Sequence, residues 1–223
     1  AAYEILEKID TKVLKFSEIN LFSPAQISEF LGLPEAVGEA LAEVQRVNEL
    51  DPDPARANFS LGFILYWARR YDEAIEHHRK AIEANGGSHF YLGFAYAQKS
   101  RFNEAVDEFE KVVVAGGRNA GAVAALAYGQ AAAGNKTEAM RVLEELQEGY
   151  QQPFVRFPTR VPGYRVAAIY AALGDKDRAL EWLEKDYRDE GGWMIWLNVD
   201  PIFDALRSDP RLQELLRRMN FPQ

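Results

Sequence analysis

The chain has 223 residues, of which 48% are hydrophobic, and it contains no cysteine. Its formal net charge of −8 lies mostly in residues 1–54, where eleven acidic residues outnumber four basic ones. These values predict a substantial core, exclude disulfides and thiol chemistry, and argue against nucleic acid as a direct partner, because nucleic-acid affinity needs clustered Lys and Arg.

The sequence carries no signal for membrane insertion or export. No apolar run reaches about 18 residues, the rough minimum for a membrane-spanning helix, so we expect no membrane partner. The first twenty residues are charged throughout and lack the apolar centre of a secretory signal. We therefore expect a cytoplasmic location.

The amino-terminal region, residues 1–54, is predicted to be a helical cap with a degenerate repeat that starts near Leu21. Apolar residues at helical spacing in residues 3–16 predict an acidic amphipathic helix, which would cover a groove elsewhere in the chain or pair with a second copy. Ser23-Pro24 predicts a helix start, and residues 35–50 predict a longer helix.

Four segments between residues 61 and 186 repeat one pattern. In each, a small residue is followed twelve positions later by an alanine, and the copies start 31, 34 and 40 residues apart. The small residues are Gly62, Gly93, Ala127 and Ala167, and the alanines are Ala74, Ala105, Ala139 and Ala179. Constant spacing between variable linkers predicts helix-turn-helix units whose two helices cross closely. The turns are predicted at residues 68–70, 99–101, 134–135 and 174–175.

The pattern resembles the tetratricopeptide repeat, which has Leu-Gly and Tyr in its first helix and Ala and an aromatic residue in its second. The copy with the most matching residues has Leu92, Gly93, Tyr96, Ala105 and Phe109. The resemblance spans about residues 21–191 and implies an all-α, right-handed superhelix of stacked antiparallel helix pairs, a TPR-like α-solenoid. We assign residues 55–191 to the array, and residues 192–223 to an aromatic segment and a C-terminal capping helix.

The adjacent His77 and His78 raise the question of a metal or acid-base site. Neighbouring residues on a helix point about 100° apart, so the two rings cannot both face one metal ion. We predict that His78 packs partly buried in its helix and that His77 is exposed. A nucleophile elbow and a phosphate-binding loop are also missing from the sequence, so we predict no metal, no cofactor and no enzyme activity. An enzyme with a site in the concave cavity remains an alternative.

The resemblance implies a concave face lined by the first helix of each repeat, and aromatic side chains are dense at those positions. A dense aromatic surface tends to mark an interaction site. The predicted partner-binding residues are Phe59, Phe63, Tyr66, Trp67, Phe90, Phe94, Tyr128 and Tyr164. Repeats that hold acidic carboxyl tails use Lys and Asn there, so the aromatic residues favour an amphipathic or extended peptide of a protein partner. The alternative is that these rings pack between neighbouring helices.

Two further segments are distinct from the repeats. Residues 148–165 contain three prolines and predict an extended linker. Residues 191–223 predict a short aromatic segment, a short helix, and a final helix that starts at Ser208-Asp209-Pro210. The apolar face of this last helix is predicted to consist of Leu212, Leu215, Leu216 and Met219.

Residues 55–221 are similar to the carboxyl-terminal ends of bacterial signalling proteins in which such repeats follow a serine/threonine kinase, a nucleotide cyclase or a winged-helix domain. The likeness is most specific in residues 200–219, DPIFDALRSDPRLQELLRRM. It implies a part in a bacterial signalling or regulatory assembly. The alternative is a self-associating scaffold in which the terminal helix or residues 193–196 form a homodimer.

Overall fold

The computed structural model describes residues 34–50, 52–85, 87–151 and 161–219, and this part of the chain contains ten α-helices and two short 3₁₀ helices. The α-helices are α1 (Pro34–Leu50), α2 (Pro54–Trp67), α3 (Tyr71–Glu83), α4 (His89–Gln98), α5 (Phe102–Gly116), α6 (Ala120–Ala132), α7 (Lys136–Gln151), α8 (Gly163–Ala172), α9 (Lys176–Arg188) and α10 (Pro210–Arg218). The 3₁₀ helices, Met194–Trp196 and Pro201–Leu206, lie between α9 and α10. The predicted all-α class is confirmed.

Consecutive helices pack as four antiparallel pairs: α2 with α3, α4 with α5, α6 with α7, and α8 with α9. The first helices of these pairs also pack on each other, since α4 contacts α2 and α6, and α6 contacts α8. They form one continuous layer, and the carboxyl-terminal tail packs against one side of it. This arrangement is the stack of helix pairs expected of a TPR-like solenoid.

The predictions for the amino-terminal region are tested only in part. The helix over residues 35–50 is confirmed as α1, which packs against α2. The amphipathic segment 3–16, the helix start at Ser23-Pro24 and the repeat start near Leu21 lie outside the described residues.

The turns inside the four pairs fall where the sequence predicts them. Each contains one residue with positive φ at the same repeat position: Arg69, Ser100, Gly134 and Gly174. The residue after it donates its N–H to a carbonyl five positions back, as Arg70 does to Leu65 at 2.9 Å. This left-handed turn satisfies carbonyls that the helix end leaves free, and it lets the second helix start at once.

The small residues of the repeat lie where the two helices of a pair cross. Ala74, Ala105, Ala127, Ala139, Ala167 and Ala179 are all fully buried. A Cβ added at Gly93 would lie 2.6 Å from Cε1 of Phe109, and one added at Gly62 would lie 2.6 Å from the ring of His78. The predicted close crossing is confirmed, because a ring from the second helix fills the space that a side chain would need.

The linker between the third and fourth pairs is shorter than predicted. Helix α7 continues to Gln151, so the prediction that an extended segment starts at residue 148 is wrong. The helix continues because Tyr150 is an apolar anchor, 7% exposed, whose ring lies 5.0 Å from that of Trp182 in α9. Residues 152–160 lie outside the described residues.

The final helix caps the array as predicted. Asp209 accepts the N–H of Arg211 at 2.9 Å, which fixes the start of α10. Leu212 and Leu215 are buried, and Leu216 and Met219 pack on the core. Ion pairs join α10 to α9, Arg211 with Asp177 at 2.8 Å and Arg218 with Glu184.

Substitution of Gly93 tests the close crossing. Gly93→Ala should lower the free energy of unfolding by about 1–3 kcal/mol, because its methyl group would overlap the buried ring of Phe109. Gly38→Ala is the matched control: Gly38 lies inside α1, is exposed, and has nothing within 4 Å of an added Cβ. This control should raise the free energy by up to about 1 kcal/mol through helix propensity. Urea unfolding followed by circular dichroism measures both, and the same change in both variants would contradict the crossing.

Candidate functional site

The eight predicted partner-binding residues lie on the first helices of the four pairs. Helix α2 carries Phe59, Phe63, Tyr66 and Trp67, α4 carries Phe90 and Phe94, α6 carries Tyr128, and α8 carries Tyr164. We call this set the aromatic face. A chain of ring contacts joins most of it. Successive centroids in this chain lie 5.0 to 5.5 Å apart, in the order Phe63, Tyr91, Phe90, Phe94 and Tyr128. Tyr91, which the sequence analysis did not select, completes this chain.

Much of the aromatic face is buried within the chain. Tyr66, Trp67, Phe94, Tyr128 and Tyr164 each expose 8% or less of their surface, whereas Phe59, Phe63 and Phe90 are half-buried. Packing between helices accounts for part of this burial, as where the ring of Phe94 lies 4.9 Å from that of Phe109. The carboxyl-terminal tail adds to the burial, as where the ring of Phe203 lies 5.0 Å from that of Tyr164.

Residues 191–207, which we call the strap, lie against the aromatic face. The indole of Trp196 stacks on that of Trp67, with centroids 4.5 Å apart and an interplanar angle of 17°. The edge of Phe63 meets the same indole at 6.1 Å. The strap therefore places a large aromatic side chain on helix α2, in the first of the four pairs.

A buried carboxylate fixes the middle of the strap. Asp200 is 4% exposed; its Oδ2 accepts the hydroxyl of Tyr164 at 2.6 Å, and its Oδ1 accepts the N–H of Ile202 at 3.0 Å. Burial raises the pKa of Asp200 above its usual value, although both hydrogen bonds favour the charged form. Burial also raises the pKa of Tyr164 well above its ordinary value, so its hydroxyl remains a donor.

An ion pair joins the end of the strap to the turn after α2. Nη2 of Arg69 donates to Oδ1 of Asp204 at 2.8 Å, and Nε of Arg207 donates to the same oxygen at 2.9 Å. Partial burial works against the charged carboxylate, but the bonds from the two arginines outweigh it and lower the pKa of Asp204. The strap thus contacts the first pair through Trp196 and Asp204, and the last pair through Asp200.

A small cavity of about 20 Å³ lies between the strap and the aromatic face. Its walls include Tyr66, Trp67, Tyr91, Arg165, Trp196 and Asp200. The sequence analysis missed Arg165 and Asp200 as site residues. Both side chains are charged and stand beside helix ends, a pattern typical of solvent-exposed positions, so the sequence offers no signal for their burial.

The two adjacent histidines are part of the scaffold. His78 is fully buried, more than predicted, because Gly62 leaves room for its ring, and its Nδ1 shares a hydrogen bond with the hydroxyl of Ser88 at 2.6 Å. Burial lowers the pKa of His78 to about 3, and the neighbouring His77 adds to this effect. His77 was predicted to be exposed but is half-buried, because its Nδ1 bonds to Oδ1 of Asn58 on α2 at 2.8 Å.

Metal chemistry has no visible basis in the described part of the chain. Residues 34–50, 52–85, 87–151 and 161–219 contain no group of three His, Asp or Glu side chains placed to hold a metal ion. None of the helices described there combines the length and apolar character needed to cross a membrane. The features that remain are the aromatic face and the strap.

Stacked helix pairs with small residues at each crossing define a class of proteins, the α-helical repeat solenoids. Within that class, residues 60–85 match the family profile described as tetratricopeptide repeat. The match covers the second half of α2 and all of α3. Comparison with curated proteins gives no match.

Acid should weaken the fold through His78. The imidazole pKa is 6.5 when the chain is unfolded and about 3 when it is folded, so the unfolded chain binds the extra proton between these values. The free energy of unfolding must therefore fall as the pH falls from about 6.5 towards 3. His78→Phe, which copies Phe109 of the next pair, should make the melting temperature less dependent on pH over this window. Thermal melts at several pH values measure the slope, and equal slopes for wild type and His78→Phe would contradict the assignment.

Proposed function

We propose that the chain is a protein-interaction module that binds an amphipathic or extended peptide on its aromatic face, and that the partner displaces the strap. The observation that carries this proposal is the strap itself. It is a short peptide segment held by ring stacking, a buried hydrogen bond and an ion pair. The tetratricopeptide repeat in residues 60–85 supports a protein partner in general.

The attachments of the strap are few and individually modest. An aromatic pair such as Trp196 on Trp67 contributes about 0.5–1.5 kcal/mol beyond the area that it buries. The carboxylate of Asp204 and the guanidinium of Arg69 are each more than 40% exposed, and pairs of this kind contribute about 0–1 kcal/mol. A partner with better anchors can compete, although it must overcome the high effective concentration of a tethered segment.

The chain between α9 and the strap supports such a displacement. Glu190 has a φ of 55°, and Gly191 and Gly192 follow it. A non-glycine residue in this left-handed region is strained, and consecutive glycines restrict the backbone least. Rotation at these three residues would lift the strap without unfolding α9.

The strap also indicates the chemistry of a partner peptide. Trp196, Asp200 and Phe203 occupy positions i, i+4 and i+7, and they contact Trp67 and Tyr164 of the aromatic face. A competing segment would present a large aromatic side chain to Trp67 and a hydrogen-bond acceptor to Tyr164. The similarity of residues 55–221 to the ends of bacterial signalling proteins supports a signalling or regulatory assembly as the setting.

Binding of a peptide in trans tests the proposal. The probe is a fluorescent peptide with the sequence of residues 191–207, titrated with the full chain and read by anisotropy. Trp196→Ala combined with Asp204→Ala removes two attachments of the strap, so this open variant should bind the probe at least about tenfold more tightly than wild type. Adding Phe63→Ala to the open variant should remove most of the gain, because Phe63 contacts the Trp196 indole.

Trp182→Ala is the control variant, because it removes a tryptophan of α9 whose ring packs against Tyr150 of α7. It should bind the probe as wild type does. An open variant that keeps its helical circular dichroism but binds the probe no better than wild type would overturn the proposal. In that case the aromatic face would serve as core alone.

A further inference from the structure

Arg165 is a buried cation that forms no ion pair with any described residue. Its side chain, in the first turn of α8, belongs to a residue only 7% exposed. The guanidinium carbon lies 4.3 Å from the ring centroid of Trp193, 5.4 Å from that of Phe90 and 5.7 Å from that of Phe94. Among the residues that the structure describes, no carboxylate lies within 4 Å of its nitrogens. Three aromatic rings hold this charge, which leaves its N–H donors available.

A second buried donor belongs to a residue of the same cavity wall and also lacks an acceptor among the described residues. Nε1 of Trp67 is buried, in a residue that is 8% exposed, and no described residue accepts a hydrogen bond from it. A buried donor left without an acceptor is unfavourable, so such groups are rare and call for an explanation. Trp67 and Arg165 both line the cavity of about 20 Å³ between the strap and the aromatic face.

The nearest acid does not complete the site. Asp200 also lines the cavity, but the hydroxyl of Tyr164 and the N–H of Ile202 engage its two oxygens. The cavity wall therefore contains one cation and one residue whose buried N–H lacks a described acceptor, and hydrogen bonds from Tyr164 and Ile202 already engage its carboxylate.

We propose that Arg165 and Trp67 form a binding site for the carboxylate of a small organic acid with an apolar body. One carboxylate oxygen would enter the cavity, which has the volume of about one water molecule, and accept from both donors. The apolar body would lie against Phe90 and Trp193. Trp193 is 39% exposed and follows Gly191 and Gly192, so it can move aside to admit the acid.

This proposal goes beyond the proposed function and does not depend on it. A partner peptide needs the whole strap to leave the aromatic face, whereas the acid needs only Trp193 to shift while the contacts of Trp196, Asp200 and Asp204 stay in place. The test therefore uses the wild-type full chain and no peptide, and either proposal can fail while the other stands.

Phenylacetate is the probe, and phenylacetamide, which has the same shape without the charge, is its control. Phenylacetate should bind with a Kd of about 1 mM, in keeping with its size, and phenylacetamide should bind at least about tenfold more weakly. Calorimetry measures both. The chain has four tryptophans, so a nitrogen–proton NMR spectrum shows four indole signals. Phenylacetate should shift the Trp67 signal, assigned by its loss in Trp67→Phe, and leave that of Trp182 in place.

Three variants separate recognition of the carboxylate from a structural effect. Arg165→Met keeps the apolar stem and should weaken phenylacetate binding at least about tenfold. Arg178→Met is the matched control, since Arg178 stacks on Tyr170 at 5.5 Å, outside the cavity wall described above, and it should leave binding unchanged. Asp200→Asn removes the facing negative charge and should tighten binding, which loss of structure alone would not do.

Equal binding of phenylacetate and phenylacetamide by wild type would overturn the proposal, as would no binding of either. The comparison of the two probes needs no variant, so it decides the question even if Arg165→Met fails to fold. Unchanged phenylacetate binding by a folded Arg165→Met would overturn it as well.

Discussion

The close crossing of two helices in every pair is the constraint on which the rest of the structure depends. A glycine or alanine on each first helix faces a buried alanine, or a ring such as Phe109, on the second. Because the first helix contributes no large side chain at the crossing, the two helices of a pair pack closely, and successive pairs stack with their first helices in one layer. That layer collects aromatic side chains from four separate repeats on a single face.

The aromatic face needs a cover, and the chain provides one. Rings such as Phe63 and Trp67 would otherwise leave a large apolar surface in water. The strap covers them with Trp196, and Asp200 and Asp204 fix its path through Tyr164 and Arg69. The residues that we propose to bind a peptide are thus the ones that the strap shields from water.

The sequence predicts what depends on local spacing. The helix pairs, their turns, the small residues at the crossings and the capping helix all follow from periodicity, and all are confirmed. The position of the strap does not follow from local spacing, because contact between Trp196 and Trp67 depends on the curvature of the whole array.

Arg165 was missed for a related reason. A basic residue in a first helical turn is usually solvated, whereas here rings from α4 and the strap enclose it. Ring contacts join most of the aromatic residues that the sequence singled out, and their role in binding a partner stays a prediction.

The bond between Arg69 and Asp204 joins positions 135 residues apart in sequence. In most solenoids each repeat contacts only its neighbours, so the ends fray and unfolding spreads from one repeat to the next. A segment that returns from the last pair to the first closes the array into a loop, and fraying of either end then costs contacts at the other. The strap adds a long-range contact to a stack that otherwise has contacts only between neighbouring pairs. The array should therefore unfold more cooperatively than an open array of the same length.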